Sequence, residues 1–271
     1  MPADRPAVDR AVDRVWDALR RNDLDAASAL VDRLRVRGTH SAYYWFTAGC
    51  VHAKLNRDDL AVTAFRTSLT LKPDKAATHL NLGAAYARQG KLREAVAAYE
   101  AAAKLEPGDA RPYAQAGDAY VRHNQPEHAV SFFKRALVLE PENASHHRDL
   151  GVAYASMNRH AEAVAFLRRA ADLEPGNGDH HRNLGITLVD LRRHGEALPC
   201  LQRAVALKPD GAEAYLYLGY AHQHLGNHPA AMDAWKNADR FDSPTGKSGQ
   251  LARQAMSQHA RRGELTVPRK K

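Results

Sequence analysis

Residues 76–109 read AATHLNLGAAYARQGKLREAVAAYEAAAKLEPGD. With Ala76 as position 1, Gly83, Tyr86, Ala95, Tyr99, Ala102 and Pro107 hold positions 8, 11, 20, 24, 27 and 32. Thirty-four residues on, the same slots hold Gly117, Tyr120, Ala129, Phe133, Ala136 and Pro141. After another thirty-four they hold Gly151, Tyr154, Ala163, Leu167, Ala170 and Pro175, with no residue inserted or lost. A fixed period of this length predicts an α-solenoid, in which each unit is a helical hairpin that buries its apolar face only by stacking on a neighbour.

Working outward, six units follow one another: 42–75, 76–109, 110–143, 144–177, 178–211 and 212–245. Position 8 is glycine in all six, although glycine inside a helix costs about 1 kcal/mol against alanine. Its recurrence predicts a close approach of the second helix (B) to the first (A). Position 20 is always alanine, and position 24 is large: Phe65, Tyr99, Phe133, Leu167, Leu201 and Trp235. Small-against-small with a large residue filling the gap is how two helices reach native packing density. Asn56, Gly90, Asn124, Asn158 and Gly226 stand at position 15, where helix A must end in a left-handed residue; Arg192 takes that slot in one unit. Proline at position 32 stops helix B in five units, and in 212–245 the stop is displaced by one to Pro244; Asp109, Asn143 and Asn177 stand where an N-cap is wanted.

Residues 1–41 read as a decayed first repeat. Asn22, Leu24, Ala27, Val31 and Leu34 fit the pattern, while Arg14 and Val15 replace the Leu-Gly pair. Terminal repeats are often atypical because one face meets water. At the other end, 246–271 predicts a capping helix over roughly 249–262 and then a disordered basic tail, ELTVPRKK. Net charge is +8, of which +6 falls in 246–271, so the high pI belongs to that segment and not to a nucleic-acid surface on the body. Cys50 and Cys200 form no CxxC pair, which fits a reducing compartment. The N-terminus lacks an apolar signal segment and no run spans a membrane, so the expected location is the cytoplasm.

The pattern resembles the tetratricopeptide repeat (TPR) family, strongly over 42–245 and weakly over 8–41. The resemblance implies an all-α fold: a right-handed α-solenoid of about seven TPR hairpins with a C-terminal capping helix. It also implies a concave groove lined by helix A positions 2, 5, 6, 9, 12 and 13, and a scaffold or adaptor that binds a peptide or partner segment there. The candidate partner-binding residues are Tyr43, Phe46, Lys54, Leu80, Asn81, Arg88, Arg111, Arg122, Arg148 and Arg182. On the N-terminal half, Lys54, Arg88, Arg111 and Arg122 outnumber Asp118 by three. The expected partner is therefore a protein or peptide with acidic groups next to apolar anchors. Chaperone-tail binders of the family carry a Lys-Asn-Asn-Lys-Arg clamp. Here those slots read Phe46, Cys50, Asn81, Arg111 and Gln115, of which Asn81 alone is identical, so chaperone tails are not expected. The asparagine ladder of the sugar transferases is present at only two of six slots, Asn81 and Asn183.

Other chemistry finds little support. Gly246-Lys247-Ser248 lacks the first glycine of a phosphate loop, Phe241 standing in its place. Histidines at positions 4 and 17 fill slots that take aromatic or large residues, and His146-His147 and His180-His181 are spaced to stack; no HExxH occurs. Cys50 with Lys54 one turn on is a weak candidate for an activated thiol, and an inert buried thiol is favoured. No enzyme activity, cofactor, metal or specific nucleic-acid binding is expected. Two alternatives remain. One is a self-assembling scaffold, as in the family's coats of bacterial organelles such as magnetosomes. The other is a regulatory subunit of an enzyme on another chain.

Overall fold

The computed structural model describes residues 7–35 and 40–266, with side chains to Arg261. Among the described residues the chain forms fifteen helices and no strand. They run as hairpins: α1 (Ala7–Arg20) with α2 (Leu24–Leu34), α3 (Ala42–Lys54) with α4 (Asp58–Leu71), α5 (Ala76–Arg88) with α6 (Leu92–Leu105), and α7 (Arg111–Arg122) with α8 (Pro126–Leu139). Then come α9 (Ala144–Ser156) with α10 (His160–Leu173), α11 (Gly178–Asp190) with α12 (His194–Leu207), α13 (Ala212–His224) with α14 (His228–Phe241), and the single α15 (Lys247–Thr266). Two compact units divide the chain, Met1–Glu140 and Pro141–Lys271. Within each, every hairpin packs on its own partner helix and on the next hairpin.

The recurring glycine is explained by what faces it. A Cβ on Gly49 would lie 2.5 Å from the Phe65 ring, on Gly117 2.5 Å from the Phe133 ring, and on Gly151 2.7 Å from Leu167 Cγ. Each large residue at position 24 thus sits directly on the glycine of its own hairpin. The first hairpin solves the same packing differently: Val15 stands in the glycine slot and Val31 in the large slot, and both are buried. Volume moves from one helix to the other while the sum is roughly kept, the kind of exchange cores tolerate best.

Each turn from helix A to helix B carries a left-handed residue. Asn22, Asn56, Asn124 and Asn158 have φ between 56° and 59°, and Gly90 and Gly226 are at 73° and 79°. Arg192 adopts φ 58° as well, so the backbone imposes the conformation even where the residue disfavours it. At the next turn, Asn143 and Asn177 cap α9 and α11 as expected. Asp109 does not occupy the N-cap itself, which is Ala110; its carboxylate instead accepts from the Arg111 backbone N–H at 2.9 Å.

The three position-4 histidines do more than fill space. Nε2 of His79, His147 and His181 donates to the carbonyls of Pro73, Pro141 and Pro175, at 2.9, 2.8 and 3.0 Å. Each bond spans the turn between consecutive hairpins and satisfies a carbonyl that the proline break leaves without a helical donor. His147, spaced so that it could stack with the histidines of the next unit, stacks instead on Phe166, centroids 6.2 Å apart. His180 is fully buried and pairs with Glu174 at 3.0 Å.

The capping helix is longer than the sequence predicts. It starts at Lys247 and continues through Glu264, Leu265 and Thr266, which were expected to be disordered. The remaining tail, 267–271, lies outside the described residues. Ala252 and Ala255 of α15 close over Leu216, Trp235 and Ala238, and Trp235 is fully buried.

Candidate functional site

In the N-terminal unit the site begins with a chain of rings. Trp16 and Phe46 have centroids 6.2 Å apart, and Phe46 and Phe65 6.1 Å. Trp16 Nε1 donates to Thr47 Oγ1 at 3.0 Å, which ties α1 to α3. Tyr43 donates its hydroxyl to Asp13 at 3.0 Å, and Ser41 donates to Asp9 at 2.6 Å while capping α3. The decayed first repeat therefore sets Asp9 and Asp13 beside the aromatic end of the predicted groove, a contribution the groove positions of the six regular repeats do not include.

The predicted site residues divide by what already holds them. Arg88 is paired with Asp58 at 2.6 Å, and Arg111 grips Asp109 through Nε and a terminal nitrogen at 2.8–3.0 Å. The Asp109 carboxyl titrates below its usual range chiefly because of that Arg111 hydrogen bond. Asn81 donates to Ala77 O of its own helix at 2.8 Å. Leu80 is 9% exposed and packs with Ala95, Tyr99 and Ala116, so it is a wall of the core and not an open anchor. Lys54 and Arg122 are exposed, and neither has a carboxylate partner among the described residues. Adding Asp58 and Asp109 to Asp118 cuts the excess of positive charge from three to one. Both carboxylates stand off the groove positions of the A helices, because Asp58 starts a B helix and Asp109 lies in a turn.

A cavity of about 690 Å³ opens beside these rings. Tyr43, Phe46 and Ala77 give it an apolar wall continuous with the predicted groove, while Leu71 ends α4 and Lys72 and Lys75 come from the turn between α4 and α5. Its floor is closed by Ser68, which stands where the other units have alanine and donates to Ala42 O at 2.8 Å.

The C-terminal unit is arranged differently. Arg148 is paired with Asp149 at 2.6 Å, and Arg182 with Asp179 at 2.8 Å and Glu213 at 3.4 Å. Lys208 also pairs with Asp179, and that bond, first among its causes, holds the Asp179 carboxyl low. The guanidinium groups predicted to bind a partner here are engaged by their own unit.

Reactive chemistry is poorly placed. Burial pushes the Cys50 thiol up to about 12, and the nearby Lys54 charge offsets only part of this. Burial raises Cys200 too. Among the described residues no group of three or more His, Cys, Asp or Glu is arranged to hold a metal ion, and no helix is long and apolar enough to cross a membrane.

Comparison with known proteins agrees with this architecture. Tetratricopeptide repeat family models match residues 115–178, 182–242 and 76–109, and a TPR repeat model matches 49–90. No curated protein matches the chain. Among solved structures, the C-terminal part of a TPR repeat-containing protein from Cytophaga hutchinsonii is 18% identical with a TM-score of 0.72, over 89% of this chain and 98% of that one. YrrB, described as a TPR protein with an unusual peptide-binding site, is 23% identical with a TM-score of 0.60, over 73% of this chain and 100% of its own. MamA is 24% identical with a TM-score of 0.55, over 59% of this chain and 94% of its own. Hairpins of constant period, the interlock of glycine with a large side chain and these matches agree: the chain belongs to the tetratricopeptide repeat family.

Proposed function

We propose that this protein is an interaction scaffold whose N-terminal unit holds a partner segment along the A-helix face, and that the segment is acidic with apolar anchors. The observation that carries the reading is the contrast in how the cations are used. Among the described residues Lys54 and Arg122 are exposed with no carboxylate partner, whereas Arg88 and Arg111 of the same unit, and Arg148 and Arg182 of the other, are engaged in ion pairs. A cation already paired has little left to offer a ligand, since binding must first displace its carboxylate. Apolar burial comes from Tyr43 and Phe46, and aromatic side chains are prominent among interface hot spots. YrrB, similar in fold, is described as having a peptide-binding site, which lends the reading support by analogy.

The test is a partner isolated by affinity pull-down with the full chain, then titrated against variants. Lys54→Glu with Arg122→Glu weakens binding about tenfold or more, while Arg182→Glu changes it little. An equal or larger effect from Arg182→Glu places the partner on the C-terminal unit instead and overturns the assignment. Light scattering on the isolated chain reports the competing reading, self-assembly.

A further inference from the structure

The cavity beside Phe46 has a composition the groove positions do not explain. Apolar surface from Tyr43, Phe46, Leu71 and Ala77 is combined with two lysines, Lys72 and Lys75, at its rim. Both lysines are exposed, and neither is ion-paired among the described residues. Leu71 is 41% exposed, as is Leu105 at the same repeat position, so its side chain offers apolar surface at the cavity mouth. Lys75 is also the N-cap of α5 and makes no side-chain capping bond, so the positive end of that helix adds to the lysine charges. The one carboxylate on the wall, Asp9, accepts from the neutral Ser41 hydroxyl and keeps its charge, so two lysines against one carboxylate leave the lining net positive by one. At about 690 Å³ the space is of the size that holds a small ligand or a few side chains.

We infer that this cavity is the anchoring site of the partner: it takes one aromatic or large aliphatic side chain against Phe46 and Leu71, flanked by carboxylates that meet Lys72 and Lys75. The partner is thus an extended protein segment with an acidic-apolar-acidic motif, read at the turn between two hairpins and not only along the A helices. Charge complementarity selects this occupant. A basic segment would face two unpaired ammonium groups, and a purely apolar one would leave both lysines beside a dry surface. The inference rests on the scaffold reading and shares Tyr43 and Phe46 with it, but adds Leu71, Lys72 and Lys75, which lie outside the groove positions that reading uses.

The probe is the capped tripeptide acetyl-Glu-Phe-Glu-amide, titrated into the full chain by two-dimensional NMR, with acetyl-Lys-Phe-Lys-amide as the control. The acidic peptide saturates with Kd below about 1 mM and shifts resonances of Phe46, Leu71 and Ala77, while the basic one does not. Lys72→Glu with Lys75→Glu, both exposed positions, weakens it about tenfold or more, and Leu71→Ser severalfold; Lys54→Glu with Arg122→Glu changes it less than about twofold. Equal binding of the two peptides, no saturation, or indifference to the Lys72/Lys75 change overturns the inference. A shift from dimer to monomer in light scattering on that same change also overturns it, because a second copy is then the occupant. If the tripeptide fails while an isolated partner still responds to Lys54 and Arg122, the scaffold reading stands and the cavity assignment alone falls. If the tripeptide binds but the partner ignores Lys54 and Arg122, the groove assignment falls instead.

Discussion

At the scale of single residues, the protein turns on a pair: glycine at position 8 and the large side chain at position 24. The Phe133 ring occupies the space a side chain on Gly117 would need, with 2.5 Å to an added Cβ. Gly117→Val should therefore destabilise by about 1–3 kcal/mol or more, even though glycine is the poorer helix former. The first hairpin supplies the compensation, since Val15 and Val31 fill the same two slots. Gly117→Val combined with Phe133→Val should recover most of the loss, whereas Gly108→Ala, with nothing within 4 Å, should change stability by less than about 0.5 kcal/mol. Denaturant titrations of the three variants measure this; no rescue by the double change would show that packing volume is not what the glycine serves.

Between elements, the seam of interest joins the start of one B helix to the end of the next A helix. Asp58 meets Arg88 there, and in the C-terminal unit His194 of α12 stacks on His224 of α13, centroids 4.3 Å apart and planes 3° from parallel. Burial, then the His224 and Arg192 charges, pull the His194 imidazole below its ordinary 6.5. The sign follows directly. The unfolded chain takes up the proton more readily, so stability is complete above about pH 6.5 and is lost as pH falls from there through the lower folded value. The melting temperature should decline as pH falls below about 6.5, and His194→Gln should flatten that decline. It should not abolish it, because burial depresses His52 and His222 in the same direction. A variant curve parallel to the parent's would remove His194 from the account.

On the scale of the whole molecule, a stack of hairpins has no closed core, so its ends need covers. At the C-terminal end α15 is that cover, with Ala252 and Ala255 over Trp235, Leu216 and Ala238. Burying each large side chain there is worth about 1.5–3 kcal/mol. A chain ended at Thr245 should lose helix content beyond α15 and aggregate through the uncovered face, while one ended at Thr266 should melt with the parent. Circular dichroism and light scattering on both decide it; a stable, monodisperse chain ending at Thr245 would show that α15 is an appendage. At the N-terminal end α1 and α2 do the equivalent work with a different residue pair, and α1 also brings Asp9 and Asp13 to Ser41 and Tyr43.

The sequence by itself determined the hairpins, their period and their interlock. Those features are local or repeat exactly: a glycine that can face only a large partner, an asparagine or glycine that can turn left-handed, a proline that cannot continue a helix. Arg192 shows how firmly the repeat dictates backbone, since a residue that disfavours φ 58° adopts it. The charge of the candidate site was not legible in the same way. Arg88 and Arg111 read as open cations, yet Asp58 and Asp109 hold them, and Leu80 reads as an anchor yet belongs to the core. Asp58 reaches Arg88 from a neighbouring helix thirty residues away, while Asp109 holds Arg111 from two residues before it, in the turn; a periodicity of apolar positions carries no information about either pair. The cavity rimmed by Lys72 and Lys75 was hidden for the same reason: its walls come from four helices and a turn, and only the stacking of hairpins brings them together.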